Sequence, residues 1–318
     1  MKPDMSSAPL AFLIAGPTAS GKSTLALAIA EAFNGSIINA DSMQVYDTLQ
    51  VLTARPDEAD LERVPHYLYG HVAPQADYSV GHWIADVSVA LAQVRANKQI
   101  PIFTGGTGLY FKALLHGLAD IPDIPAGLRE GLRARLTDEG VHALHAELET
   151  RDPELAARLH PNDTQRILRG LEVVEATGRK LSDWQVDAQS PILSEQITCL
   201  MLAPSRDWLY ARCDERFQTM LADGAAQAET AALSALHLPP QALALKALGV
   251  SELQAVADDG MDVEAAIMQA QMRTRRYAKR QMTWFRNQMS DWPRFNEQDY
   301  ADNYAKIFSF ISKKLLTW

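Results

Sequence analysis

"GPTASGKST" occupies residues 16–24, and the fold turns on how it is read. Gly16, four residues, Gly21, Lys22 and Ser23 have the spacing of a loop that wraps a phosphate. Its glycines permit a tight turn that aims backbone amides inward. The positive end of a following helix adds to their pull on phosphate oxygens. Lys22 supplies a point charge, and Ser23 a hydroxyl able to ligate Mg2+. The flanks give the loop its context. "LAFLIA" (10–15) reads as a buried strand, not a leader peptide, because it is short and runs straight into the glycines. "STLALAIAEAF" (23–33) reads as an amphipathic helix.

The alternation continues outward. "GSIINAD" (35–41) is a second strand, residues 78–98 have helical spacing, and "QIPIFTGG" (99–106) is a third strand. Strand and helix in turn predict a parallel, doubly wound α/β sheet. Residues 118–190 show no strand pattern. Helices are predicted there at 128–140, 141–152 and 162–178, the last with Pro161-Asn162-Asp163 as a start signal and Gly178 as a stop. "EQITCLMLAPS" (195–205) returns to strand character, and helices follow to about residue 290, the longest over 262–289. The expected organisation is a core of 1–117 with 195–318, interrupted by an all-helical insertion at 118–194. The aromatic-rich tail (291–318) carries no clear pattern.

Composition narrows the class. Hydrophobic residues make up 47% and charged residues 22% of 318, as in an ordinary globular protein. Two cysteines, Cys199 and Cys213, are too few for a disulfide framework or a zinc cluster and fit a reducing cytoplasm. No run of 18 apolar residues occurs, so no membrane span is expected. A net charge of −9 argues against a nucleic-acid partner until its distribution is seen. "RTRRYAKRQMTWFR" (273–286) holds six basic residues and no acid. Such a helix can bind nucleic-acid phosphates or approach a diphosphate. It can also be a solvated face with Trp284 and Phe285 in the core.

Other residues carry possible chemistry. Asp41 ends the second strand, at the sheet edge where ligands of open α/β sheets bind, and can hold a metal through water or accept a proton. It can equally cap a turn. The third strand ends in Thr104-Gly105-Gly106-Thr107, with no acid where a standard ATPase keeps its metal-holding carboxylate. Arg212 and Arg216 share a helical face. Arg216 can reach a phosphate leaving group, or pair with Asp214 or Glu215. His142 and His145 lack a third ligand, so no metal site is expected from them.

Taken in order, "GPTASGKS", "NADSMQVY", "TARP", "GGTGLY", "HPNDTQRILRGLEV" and "TRRYAKRQMTWFR" closely resemble the bacterial tRNA dimethylallyltransferases. These motifs span residues 16 to 286. The resemblance implies a P-loop kinase-like parallel sheet flanked by helices, with an all-helical insertion domain that contacts tRNA. It implies transfer of a dimethylallyl group from dimethylallyl diphosphate to the exocyclic amine of the adenosine 3′ of the anticodon, with Mg2+ as cofactor. Asp41 is implied as general base, with Arg216, Lys22 and Thr18 serving the departing diphosphate. Gly16, Pro17, Thr18, Ala19, Ser20, Gly21, Lys22 and Ser23 form the diphosphate loop, and Ser23 is the metal ligand. Contacts to tRNA are implied for Asp41, Ser42, Met43, Gln44, Thr107 and Arg129, and for Gln165, Arg166, Ile167, Leu168 and Arg169. A monomer in the cytoplasm, not bound to membrane, is expected. One departure stands out. Where the family often carries an aromatic and a basic residue, "LKALGVSE" (245–252) has Val250 and Ser251. A small-molecule kinase using ATP on the same loop is the alternative. It leaves "AKRQMTWFR" and the acid-free strand end unexplained.

Overall fold

The computed structural model describes residues 10–187, 191–193, 195–296 and 300–315. The expected boundary at residue 194, and the ends 1–9 and 316–318 of the expected core, lie outside the described residues. Strand β1 (Leu10–Ala15) runs through the phosphate loop into α1 (Lys22–Phe33) and then β2 (Gly35–Asn39). Next come α2 (Glu58–Arg63), β3 (His66–Tyr67), α3 (Val80–Ala96), β4 (Ile100–Gly105) and α4 (Gly108–His116). Five helices follow: α5 (Ala126–Glu139), α6 (Val141–Arg151), α7 (Pro153–Arg158), α8 (Thr164–Thr177) and α9 (Leu181–Val186). The chain returns through β5 (Gln196–Leu202), α10 (Arg206–Leu221), α11 (Ala225–Ala235) and α12 (Val250–Asp258). It ends with α13 (Val263–Gln288), β6 (Arg294–Phe295) and α14 (Tyr300–Leu315).

The six strands form one sheet in the order β3-β2-β4-β1-β5-β6, and every neighbouring pair is parallel. Every residue of β1, β2 and β4 is buried, which explains their unbroken apolar runs: helices cover both faces of a parallel sheet. On one face Phe12 and Ile14 meet Leu25, Ala26 and Ile29 of α1, together with Ile307 and Ile311 of α14. Each fully buried Phe, Leu or Ile side chain among these contributes roughly 1.5–3 kcal/mol. The tail therefore belongs to the core, supplying both the edge strand β6 and the helix α14.

Residues 1–114 with 193–318 form one compact unit, and residues 115–192 a second. The second has its own core, including Leu144, Leu148, Leu155, Ile167 and Leu171. Gly170 lets α8 sit close, since a Cβ there would lie 2.7 Å from Leu155 Cδ2. Asp152, fully buried, accepts from Leu155 N at 3.1 Å and from Ser182 N and Oγ at 2.9 and 2.7 Å. Burial pushes its pKa up, but these donors outweigh burial and hold it below the usual carboxylate range.

Candidate active site

The loops that follow β1, β2 and β4 lie side by side, because β4 sits between β1 and β2 in the sheet. The first is the phosphate loop. Gly21 takes φ 86° and starts α1. Ala19 takes φ 64°, a left-handed conformation costly for a residue with a Cβ. Lys22 Nζ donates to Pro17 O at 3.2 Å. The Ser20 hydroxyl is buried and has no partner among the described residues, which leaves it available to a ligand oxygen. Ser23 is exposed in the first turn of α1.

Helices from the far end of the chain close on this loop. Arg216 Nη2, on α10, donates to Thr18 Oγ1 at 2.6 Å, and Arg212 Nε donates to Ala19 O at 3.4 Å. Asp214 is paired with Arg275 at 2.6 Å, while Arg216 points at the phosphate loop. From α13, Gln281 accepts from Thr18 N at 2.8 Å.

Asp41 lies two residues beyond β2. Its N–H donates to Asn39 Oδ1 at 2.8 Å, and its Oδ1 accepts from Met43 N at 3.0 Å, so the carboxylate is held by its own loop. The acid-free end of β4 has a steric cause. A Cβ on Gly105 would lie 2.0 Å from Ala40 O, and one on Gly106 3.2 Å from Asp41 Oδ2. The two glycines let β4 abut the Asp41 loop. Thr107 Oγ1 then joins the turns, accepting from Ser42 N at 2.9 Å and donating to Ser42 Oγ at 3.2 Å.

The electrostatics are those of a carboxylate facing cations. Burial lowers the pKa of Lys22 to about 8, with Asp41 opposing and Arg216 adding to the fall. Burial also lowers that of Arg216, again opposed by Asp41, though a guanidinium stays charged. The hydroxyls of Tyr69, Tyr110 and Tyr277 are pushed up by burial first and by the Asp41 charge second. A diphosphate in this loop would bind the protonated Lys22 and raise its pKa in the complex. Above about pH 8 the free protein must take up a proton to bind, so affinity falls as pH rises, by up to about tenfold per unit. Inorganic diphosphate titrated by calorimetry from pH 6.5 to 9.5 is expected to show this bend in the wild type. Lys22→Arg, charged throughout, is expected to lack it. Identical profiles for the two proteins would refute the assignment.

The remaining expected residues fall into two groups. Gln44 spends its amide on Thr53 O and Ala54 O, at 2.9 and 2.8 Å, and Met43 packs on the cluster around Val45 and Tyr46. Both flank Asp41. Arg129 lies on α5, and Gln165, Arg166, Ile167, Leu168 and Arg169 lie on α8, in the helical unit. Gln165 and Arg166 are exposed, the latter 3.4 Å from Asp163, and Arg169 is 3.5 Å from Glu172. The Ile167 side chain is wholly buried in that unit's core, and Leu168 packs partly against it.

The basic helix α13 divides by face. Arg273 is tied to Glu252 and Ser251, so the Val250-Ser251 departure sits in an ion-paired cluster. Arg276, Lys279 and Arg280 share a stripe with Trp284 and Asn287 that lines an open groove, and none of the three has an ion pair among the described residues. Phe285 is buried, while Trp284 is half-buried against Gly108, where a Cβ would lie 2.1 Å from its Cε3. Two features escaped sequence reasoning. Gln281 lay unnoticed among the cations, and the tyrosines around Asp41 come from three separate segments with no shared spacing.

Known proteins carry the same pattern. The family described as IPP transferase matches residues 44–288, and the one described as isopentenyl transferase matches residues 9–69. A tRNA dimethylallyltransferase of Rhizobium etli is 52% identical over 286 residues, covering 89% of this chain and 96% of that protein. One from Rhodopseudomonas palustris is 56% identical over 285 residues, covering 89% of each. Among solved structures, the full-length tRNA isopentenylpyrophosphate transferase of Bacillus halodurans aligns with TM-score 0.70 and 31% identity, covering 98% of both chains. A eukaryotic dimethylallyltransferase, solved acting on tRNA, aligns with TM-score 0.82 and 27% identity, covering 98% of this chain and 80% of that one. Fold and site thus define a prenyl-transferring enzyme built on a P-loop NTPase-like sheet. The chain belongs to the tRNA dimethylallyltransferase family. No described helix is long and apolar enough to cross a membrane.

Proposed function

We propose that the protein transfers the dimethylallyl group of dimethylallyl diphosphate to the exocyclic amine of the adenosine 3′-adjacent to the anticodon of tRNA. The observation that carries this reading is the placement of one carboxylate, Asp41, at the same sheet edge as a phosphate loop, Lys22 and Arg216. An adenine amine is a weak nucleophile because its lone pair is delocalised into the ring. As the N–C bond forms the nitrogen becomes acidic, and the Asp41 carboxylate takes the proton. On the other side the C–O bond breaks and negative charge builds on diphosphate. Lys22, the Arg216–Thr18 pair and the loop amides stabilise that charge. The adenine must leave its stack, which an anticodon loop allows at low cost.

Mg2+ fits this site as a guest of the diphosphate. Among the described residues no group of three or more His, Cys, Asp or Glu side chains could hold a metal alone. Mg2+ commonly takes one or two protein oxygens, water and substrate phosphates. Ser23 would supply the protein oxygen, and the ion would add neutralising charge to the departing diphosphate. The stripe of Arg276, Lys279, Arg280 and Trp284 suits RNA phosphates and an unstacked base. A cavity of about 260 Å3 beside Pro17, lined by Arg206, Lys279, Tyr210, Met282 and Phe285, has an apolar and cationic lining that complements the apolar tail and anionic head of a prenyl diphosphate. In the helical unit, Arg129 and the exposed Gln165 and Arg166 are our candidates for further tRNA contact. We place the protein in the cytoplasm as a monomer, its two cysteines being free thiols.

The test is direct. Protein, Mg2+, labelled dimethylallyl diphosphate and an unmodified tRNA transcript are expected to yield label in the RNA, lost when the adenosine 3′ of the anticodon is replaced. Folded protein that leaves the RNA unlabelled would overturn the proposal. ATP-dependent phosphorylation of a metabolite by the same protein would favour a kinase.

A further inference from the structure

Transfer needs two parts held at a fixed separation. The donor's diphosphate belongs to the loop after β1, and the proton acceptor to the loop after β2. The strand between them is β4, so the separation is set by whatever joins the phosphate loop to the β4 turn. On the β2 side, Thr107 N donates to Ala40 O at 3.2 Å, whereas the pairing of β1 with β4 ends at Ala15 and Gly105.

One side chain spans that gap. Gln281, only 5% exposed, accepts from Thr18 N at 2.8 Å and donates to Gly106 O at 2.9 Å. It comes from α13, 263 residues along the chain from Thr18. Its neighbours bind each half of the chemistry. Thr18 Oγ1 holds the Arg216 guanidinium, and the Gly106 Cα faces Asp41 Oδ2 so closely that an added Cβ would lie 3.2 Å from it. The Gln281 amide itself fills the space a side chain at residue 106 would take, with Nε2 2.1 Å from that Cβ position. A polar chain thus runs from Arg216 through Thr18, Gln281 and Gly106 to the Asp41 loop.

We propose that Gln281 is a positioning residue for the transfer reaction: its buried amide fixes the diphosphate loop relative to the carboxylate that takes the proton. The inference rests on the proposed prenyl transfer. Gln281 touches neither proton nor leaving group, so it acts through Thr18 and Gly106. A glutamine that merely satisfied two buried backbone groups would matter for stability alone. One that sets the reacting geometry matters for turnover, because displacement of about 1 Å costs roughly 10²-fold in rate.

The test uses the full chain with a tRNA transcript and dimethylallyl diphosphate. Gln281→Met keeps the length and loses both hydrogen bonds. It is expected to lower kcat by roughly 10²-fold, with KM for both substrates within about threefold of wild type. Gln281→Glu keeps an acceptor for Thr18 N and loses the donor to Gly106 O, so its kcat is expected between the two. It also carries the test if the methionine variant does not fold. Unchanged kcat in a folded variant would overturn the inference, as would a loss confined to KM. Absence of transfer by the wild type would instead overturn the proposed function.

Discussion

Replacing Asp41 with asparagine is expected to lower kcat by roughly 10²–10⁴-fold, the range a general base contributes, while tRNA affinity stays within about threefold. Asparagine is the sharper probe here than alanine. Asp41 Oδ1 accepts from Met43 N at 3.0 Å, and an asparagine oxygen can keep that bond. The loop then holds its shape while the second oxygen, the one facing Gly106, becomes an NH2 that cannot take a proton. Single-turnover rates with labelled donor and an RNA-binding titration separate the two effects. Wild-type turnover by Asp41→Asn would remove Asp41 from the role of base. Weakened RNA binding with an unchanged single-turnover rate would reassign it to recognition.

Arg216→Ala is expected to cost roughly 10²–10³ in the rate of transfer, as cations aimed at a departing phosphate group commonly do. The guanidinium is partly buried, is bonded to Thr18 Oγ1 at 2.6 Å and lies in the field of Asp41. On the proposed function, its removal would leave the diphosphate charge to Lys22 and the loop amides. Arg216→Lys restores charge without the planar fork, so partial recovery is expected. Donor analogues bearing a better leaving group should narrow the gap between variant and wild type, because less charge then needs stabilising. A variant equally slow with every leaving group would show that Arg216 acts elsewhere than on bond cleavage.

What the sequence revealed follows the range of the interactions. The phosphate loop was legible because its conformation is encoded within eight consecutive residues between a strand and a helix. So was helix α8, whose Asp163 side chain accepts from Arg166 N and whose Gly178 takes φ 70°. The partners of the loop were not legible. Thr18 and Arg216 stand 198 residues apart, and no local pattern says that one will meet the other rather than Asp214 or Glu215. Strands β3 and β6 have two residues each, too few for any period to register. Helix α14 did carry a signal, Ile307 and Ile311 one turn apart, but its aromatic neighbours obscured it.

The position of β1 has a consequence for synthesis on the ribosome. Its partner on one side, β4, ends at residue 105, but its partner on the other, β5, ends at residue 202. During the roughly 5–20 s a ribosome needs for that interval, the nascent chain carries an apolar strand with one unpaired edge. The helical unit of 115–192 is what emerges meanwhile, and it has its own core on which to fold. The period between β4 and β5 is therefore when newly made chains are most exposed to aggregation, and when a chaperone that shields apolar edges has most to offer.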